Sequence, residues 1–357
     1  MTDLFSPLTI KKITLRNRIG ISPMCQYSAQ DGFATDWHLA HYGAFAQGGA
    51  GLVTIEATAV EPEGRISPDD LGLWKDEQIG ALASVASFIK AQGAVPGIQI
   101  AHAGRKASTR NPWAQPGKPA PLAKKEGGWI PKGASAIAFD QGWPVPEELI
   151  EDELNTLAQA FAETARRAAE AGIEWLEIHM AHGYLLHSFL SPLSNKRTDD
   201  FGGGLNNRLR FPLMVAKAVR KAWPQDLPLA ARLSCTDWAS EGGWDLESSV
   251  ALSRHLKSES FDLIDCSSGG SLAKAEIPLG PGYQLPFSEA IRRQAQIATA
   301  GVGMITEPAQ ADQTIRNQQA DVALLGRAML RNPHWPHAAA LALHHKEPVM
   351  APQYSRA

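Results

Sequence analysis

The sequence is poor in cysteine. Cys25, Cys235 and Cys266 stand singly along 357 residues, which gives neither a disulfide framework nor the clustered thiols an iron–sulfur cluster requires. An excess of one charge is missing too. The 34 Lys and Arg against 37 Asp and Glu leave a formal net charge of -3, so no electrostatic case exists for a nucleic-acid partner. No uninterrupted apolar run approaches the roughly 20 residues that a membrane-spanning helix needs. The opening Met1-Thr2-Asp3-Leu4-Phe5 lacks a charged leader followed by an apolar core, and a cytoplasmic protein is expected. Low-complexity tracts and repeats of solenoid length are also absent.

What the chain does have is a regular alternation of apolar runs and helical patterns. At 44% hydrophobic and 20% charged residues it is ordinary for a globular protein, and its length lies within the range of one closed barrel. The candidate strands are 18–22, 51–57, 95–102, 173–179, 229–234, 261–267, 297–303 and 321–326. Helical periodicity marks 37–47, 76–92, 151–170, 206–222, 246–257, 307–317 and 333–345. Such repeated β-then-α units predict an α/β fold, a single (β/α)8 TIM barrel over residues 1–357. A doubly wound sheet would place a glycine-rich turn after the first strand, where this chain has Ser22-Pro23-Met24-Cys25.

Two segments interrupt the pattern. Residues 106–145, rich in Pro, Gly, Lys and Trp, follow the third strand and read as a lid-like excursion over the barrel mouth. The first fifteen residues fit a cover for the opposite end. Residues 346–357 form a C-terminal tail.

The strongest chemical signal is the apolar run 173–178, which empties into His179-Met180-Ala181-His182-Gly183-Tyr184. In parallel α/β folds the carboxyl ends of the strands face the reaction cleft. Three readings of the histidines remain open at this level: half of a zinc site, two structural imidazoles, or a metal-free site for an oxyanion or carbonyl. Zinc would want further ligands, and the thiols are scattered. The remaining strand ends carry Ser22 to Tyr27, Glu56-Ala57-Thr58, Gln99 to Lys106, Arg232 with Asp237, Ser267 to Gly270, Gly301 with Gly303, and Gly326-Arg327. Glycines and an arginine after strands seven and eight suit a phosphate.

Ser22-Pro23-Met24-Cys25-Gln26-Tyr27, Gln99-Ile100-Ala101-His102-Ala103-Gly104-Arg105-Lys106, the His179 to Tyr184 segment, Leu190 to Asp199 with Phe201-Gly202-Gly203, and Val302 to Thr306 occur in order along nearly the whole chain. Together they resemble the Old Yellow Enzyme family, most closely its thermophilic-like bacterial subgroup. The resemblance implies an FMN-dependent ene-reductase, with FMN bound tightly and non-covalently. NADPH or NADH would reduce the flavin, which would then pass hydride to the β-carbon of an activated alkene such as an enone, enal, maleimide or nitroalkene.

Residue by residue, the resemblance puts Ser22, Pro23, Met24, Cys25, Ala57 and Gln99 around the flavin ring. Arg232 falls near its electron-rich edge, and Gly303, Gly326 and Arg327 on the phosphate. His179 and His182 would hold the substrate oxygen, and Tyr184 would deliver the proton. Tyr27 and Lys106 would line the substrate pocket. Cys25 on burial statistics is a small apolar filler; the resemblance makes it a flavin contact. Trp113, Trp129 and Trp143 of the excursion read as loop anchors. Near a chain end an arginine such as Arg356 is ordinarily solvated. In the subgroup a tail arginine enters the neighbouring active site, which implies a homodimer or homotetramer. No metal is implied. The competing function is a metal-dependent aldolase or hydrolase with His179 and His182 as ligands.

Overall fold

The computed structural model describes residues 2–113, 120–354 and 356. Among them eight parallel strands close into a barrel in chain order. These are β1 (Ile19–Ile21), β2 (Leu52–Ala59), β3 (Val95–Ala101), β4 (Trp175–Met180), β5 (Leu229–Ser234), β6 (Leu263–Ser267), β7 (Ala298–Gly301) and β8 (Val322–Leu325). Closure is made by β8 on β1, with Leu325 opposite Ile21. Strands of an all-parallel sheet are covered on both faces, so they read as continuous apolar runs rather than alternating ones. All eight residues of β2 are buried, as are all six of β4 and of β5.

The outer helices are α1 (Asp36–Gln47), α2 (Ile79–Ala91), α3 (Glu151–Glu170), α4 (Leu185–Leu190), α5 (Leu205–Ala222), α6 (Leu246–Ser258), α7 (Leu285–Ala295), α8 (Pro308–Arg316), α9 (Arg327–Arg331) and α10 (Trp335–Ala342). Local rules explain their ends. Helix α3 starts with Glu151, Asp152 and Glu153, acids that complement the positive end of the helix. It buries Leu154, Leu157, Ala158, Phe161, Ala165 and Ala168 on one stripe. Asp245 caps α6 by accepting from the Ser248 amide at 2.8 Å. Helices α4, α7 and α9 go beyond the expected set. Helices α4 and α9 are too short for periodicity to show, whereas α7 buries Leu285, Ser288, Ile291 and Ala295 at a legible spacing. Residues 76–78 form a 3-10 turn ahead of α2, and β7 ends at Gly301 where a strand to 303 is expected, because Gly303 turns to a φ of 130°.

The first residues form an antiparallel pair, Leu8–Ile10 with Ile13–Leu15. Its turn is tied by Lys12 to Asp226 at 2.6 Å and by Lys11 to Asp262 at 3.3 Å. Both acids precede the amino ends of barrel strands, so the pair covers the end expected from the sequence. At the other end the segment after β3 holds a two-residue strand, Lys132–Gly133, paired with Glu147–Glu148. The buried Arg197 guanidinium donates to the carbonyls of Ala134 and Leu149, at 3.1 and 2.7 Å. Part of the excursion, 114–119, lies outside the described residues. Among the described residues no helix is long and apolar enough to cross a membrane.

Candidate active site

Strand register builds the floor of the site. His179 of β4 is level with Arg232 of β5, and Arg232 with Asp265 of β6. Two residues earlier on β4, Glu177 is level with Gln99 of β3. Side chains two apart on a strand share a face, so Glu177 and His179 point the same way. Gln99 Nε2 donates to Glu177 Oε1 at 2.7 Å, and Arg232 Nη2 donates to Ser22 Oγ at 2.9 Å. Arg232 Nε lies 3.0 Å from Asp265 Oδ2. Burial pushes the carboxyls of Glu177 and Asp265 up, Asp265 adds to the effect on Glu177, and the Arg232 charge opposes both.

Above this floor sit the two imidazoles. His179 Nδ1 accepts from the Ala181 amide at 3.1 Å, so a neutral ring carries its proton on Nε2 and presents a donor. His182 occupies the left-handed region, with φ 59°. Its amide donates to Ser234 Oγ at 2.9 Å, and its Nε2 lies 2.7 Å from Ser267 Oγ. The two rings meet edge to face at 5.0 Å. Burial, and after it the Arg232 charge, holds both imidazoles well below the usual histidine range. Both are therefore neutral near pH 7.

Tyr184 immediately precedes α4 at its N-cap, and its ring stands perpendicular to that of His179 at 5.0 Å. Burial, followed by the nearby Cys25 and Asp70, pushes its phenol above the ordinary tyrosine range, and the same holds for Tyr27, with burial first. Burial likewise raises the Cys25 thiol. Both phenols and the thiol are thus protonated and uncharged. Lys106 is enclosed beside them: Nζ donates to the carbonyls of His182 and Gly270, at 2.8 and 3.0 Å, and lies 5.0 Å over the Tyr184 ring. Burial, then the Arg105 charge, lowers its ammonium to about 7.

Of the supports around the cluster, His187 and Tyr42 were not legible as site residues, whereas Asp237 and Glu56 stand among the strand-end residues of the sequence. Nδ1 of the buried His187 accepts from the Gly183 amide at 2.8 Å, while its Nε2 faces Asp237 Oδ1 at 3.2 Å. The β2–β3 register slips between Ile55 and Ala57, a bulge of the kind found beside active sites. It frees Glu56 to accept from the Gln26 amide at 2.7 Å and the Tyr42 hydroxyl at 3.0 Å. The usable signal was an acid inside an apolar strand, present in Glu56, Glu177 and Asp265 alike.

A cavity of about 350 Å³ opens next to this cluster, lined by His182, Arg232, Ser267, Gly303, Gly326 and Arg327 among others. A Cβ on Gly326 would meet only Met24 Sδ, at 3.5 Å, so this glycine leaves cavity space open. Pro23, Met24 and Cys25 are half-buried, and Ala57 is buried. Arg356, by contrast, lies exposed in the tail. Of the tryptophans, Trp113 stands edge-on to Tyr27 at 5.7 Å and Trp129 donates to the Glu63 carbonyl at 2.8 Å. Trp143 packs on Phe139 at 4.9 Å. Among the described residues no three His, Cys, Asp or Glu side chains are grouped to hold a metal.

The fold and this arrangement of neutral donors at the strand ends define a (β/α)8-barrel enzyme. Residues 3–345 match the NADH:flavin oxidoreductase / NADH oxidase family, and the chain belongs to that family, an NAD(P)H-dependent flavin oxidoreductase. It is 45% identical over 344 residues to an NADPH dehydrogenase of Geobacillus sp. (strain WCH70), covering 96% of this chain and 95% of the relative. In fold it is similar to morphinone reductase in complex with tetrahydroNAD, at a TM-score of 0.79 and 24% identity, over 99% of this chain and 94% of that one. A 2-naphthoyl-CoA reductase complex superposes at a TM-score of 0.85 and 24% identity; 98% of this chain covers 53% of that chain.

Proposed function

We propose that the protein is an FMN-dependent ene-reductase acting on small activated alkenes, with NADPH or NADH as reductant. The observation that carries this reading is the juxtaposition of two neutral imidazoles, a protonated phenol and a buried Arg232 beside a cavity that ends in glycines and Arg327. The donor set fits FMN. Arg327 with the backbone at Gly303 and Gly326 suits a phosphate, and Arg232, bonded to Ser22, suits the electron-rich edge of a flavin ring, with Gln99 and Ala57 paired on β3 and β2 as further ring contacts. Pro23, Met24 and Cys25 are close at hand for the ring itself. Bound tightly without a covalent link, FMN supplies the two-electron chemistry.

The remaining work falls to the protein. His179, through Nε2–H, and His182 donate to the carbonyl or nitro oxygen of the substrate and stabilise negative charge building there. Neutral rings are needed because each must offer a proton without losing it. Tyr184 then gives its phenolic proton to the α-carbon. Tyr27 and Lys106 border the pocket, the 106–145 excursion acts as its lid, and residues 1–357 work as one domain with 346–357 as its tail. In a homodimer or homotetramer, Arg356 reaches the neighbouring active site. Three free thiols suit the reducing cytoplasm.

The visible absorption of the purified protein tests the reading. A yellow protein that bleaches anaerobically with NADPH and recovers its colour with cyclohexenone is the expected result. A protein that stays colourless when offered FMN overturns it.

A further inference from the structure

One buried acid has no part in the chemistry above. Asp70, 2% exposed, lies in the connection between β2 and α2. Its Oδ2 accepts from the Ile66 amide at 2.7 Å, and its Oδ1 from the Ser67 amide and hydroxyl at 3.3 and 3.1 Å. The titratable groups it interacts with include several acids in the broad sense. Glu56 acts from β2, Cys25 and Tyr27 from the loop after β1, and Tyr184 from the loop after β4. Lys106 stands beyond, against the Tyr184 ring. Burial, opposed by its hydrogen bonds, pushes the Asp70 carboxyl up to about 7.

Asp70 and Tyr184 line one small cavity, otherwise walled by apolar side chains including Ala57, Ile66, Ala101 and Ala103. The room open to the centre of a water molecule is about 10 Å³. That is enough for about one water. Asp70 and Tyr184 are the polar side chains among the residues that line this space.

We propose that Asp70 is a proton-relay residue that recharges Tyr184 through one water in this cavity. This rests on Tyr184 being the proton donor of the ene-reductase reading. As the Tyr184 O–H bond breaks and the substrate Cα–H bond forms, a phenolate is left. The cavity water gives it a proton and takes one from the Asp70 carboxyl; the Asp70 carboxylate regains a proton from solvent before the next turnover. No electrons move in the relay, and one proton enters from solvent per cycle. Transfer toward tyrosinate is downhill, because a buried phenol holds its proton more tightly than a carboxyl that titrates near 7. Reprotonation can then proceed while substrate or product covers the open side of the pocket.

The test is enone turnover by the FMN-loaded wild type, D70N, D70E and Y184F across pH 5.5 to 8.5, in buffers with and without added imidazole. In the wild type kcat falls as pH rises through about 7, the sign expected when the protonated carboxyl is the active form. D70N should flatten that limb to whatever the nearby Lys106, which also titrates at about 7, contributes, and show kcat lower by about tenfold or more, with KM little changed, partial rescue by imidazole, and recovery of the full limb in D70E. D70N with the wild-type profile overturns the relay, as does an equal loss in D70N and D70E without rescue, which marks a loop cap only. If Y184F turns over at the wild-type rate, the proton-donor reading itself has failed. Infrared spectra give a readout independent of turnover: a neutral carboxyl band that disappears on raising pH through 7 and is shifted in D70E. A wild-type protein with no carboxyl titrating near 7 also overturns the proposal.

Discussion

The Lys106 ammonium donates to the carbonyl oxygen of His182 at 2.8 Å, clamping the turn that carries both the second imidazole and Tyr184. A second bond to the Gly270 carbonyl, at 3.0 Å, ties the loops after β4 and β6 to each other. While the Lys106 amine is protonated, charged hydrogen bonds of this kind contribute about 1.5–3 kcal/mol each. Lys106→Met should therefore raise KM for an enone by about tenfold or more while FMN content stays at the wild-type level. Steady-state kinetics with flavin content read from the visible spectrum checks this; an unchanged KM contradicts the clamp.

On the proposed function, Tyr184→Phe should separate the two halves of the cycle. The phenyl ring keeps the packing against His179 at 5.0 Å but has no proton to give. Bleaching by NADPH should proceed at nearly the wild-type rate, and recovery of colour with cyclohexenone should slow by about 100-fold. Stopped-flow absorbance resolves both phases, and slowing confined to the NADPH phase would contradict the assignment.

Gly183 and Gly270 permit the close approach of the two loops. Gly183 has φ 72°, and a Cβ there would run into the Gly270 carbonyl oxygen. Gly183→Ala should lower stability by more than about 1 kcal/mol, since alanine resists this backbone region and the loops must separate. The thermal midpoint should fall and enone turnover with it, whereas Gly142→Ala, at a similar φ of 82° but with nothing near, should leave turnover intact.

Buried and half-buried neutral histidines make the fold sensitive to acid. Burial lowers His41 to about 4, and His179 and His182 fall well below 6.5. Between about pH 6.5 and 4 the unfolded chain binds protons that the folded chain refuses, so these groups make stability fall as pH drops through that window. His41→Phe should flatten this part of the profile, measured as thermal midpoint against pH. An identical slope in the variant would remove His41 from the account.

Arg197 anchors the base of the excursion. Its guanidinium serves the Ala134 and Leu149 carbonyls and lies against Asp199. Arg197→Ala leaves two buried acceptors unsatisfied and should cost about 2–4 kcal/mol. Faster proteolysis within 106–145 than elsewhere would show that the loss is local; uniform resistance equal to wild type would refute it.

The sequence by itself determined the barrel. Its eight apolar runs, separated by helical periodicity, match the barrel strands to within a few residues, because a parallel strand covered on both faces must be apolar along its length. It also put the candidate groups close together in the chain, since His179 lies on β4 and His182 and Tyr184 follow directly after it. What it left undecided was how strands far apart in the chain align. The level pairing of His179 with Arg232, and of Arg232 with Asp265, depends on the register of β4, β5 and β6. Only that register places Asp265 and Glu177 about one guanidinium. The His187–Asp237 contact spans fifty residues and the cavity shared by Asp70 and Tyr184 more than a hundred. Barrel closure alone brought them together, because burial and register, rather than local propensity, decide which polar side chains share a dry space.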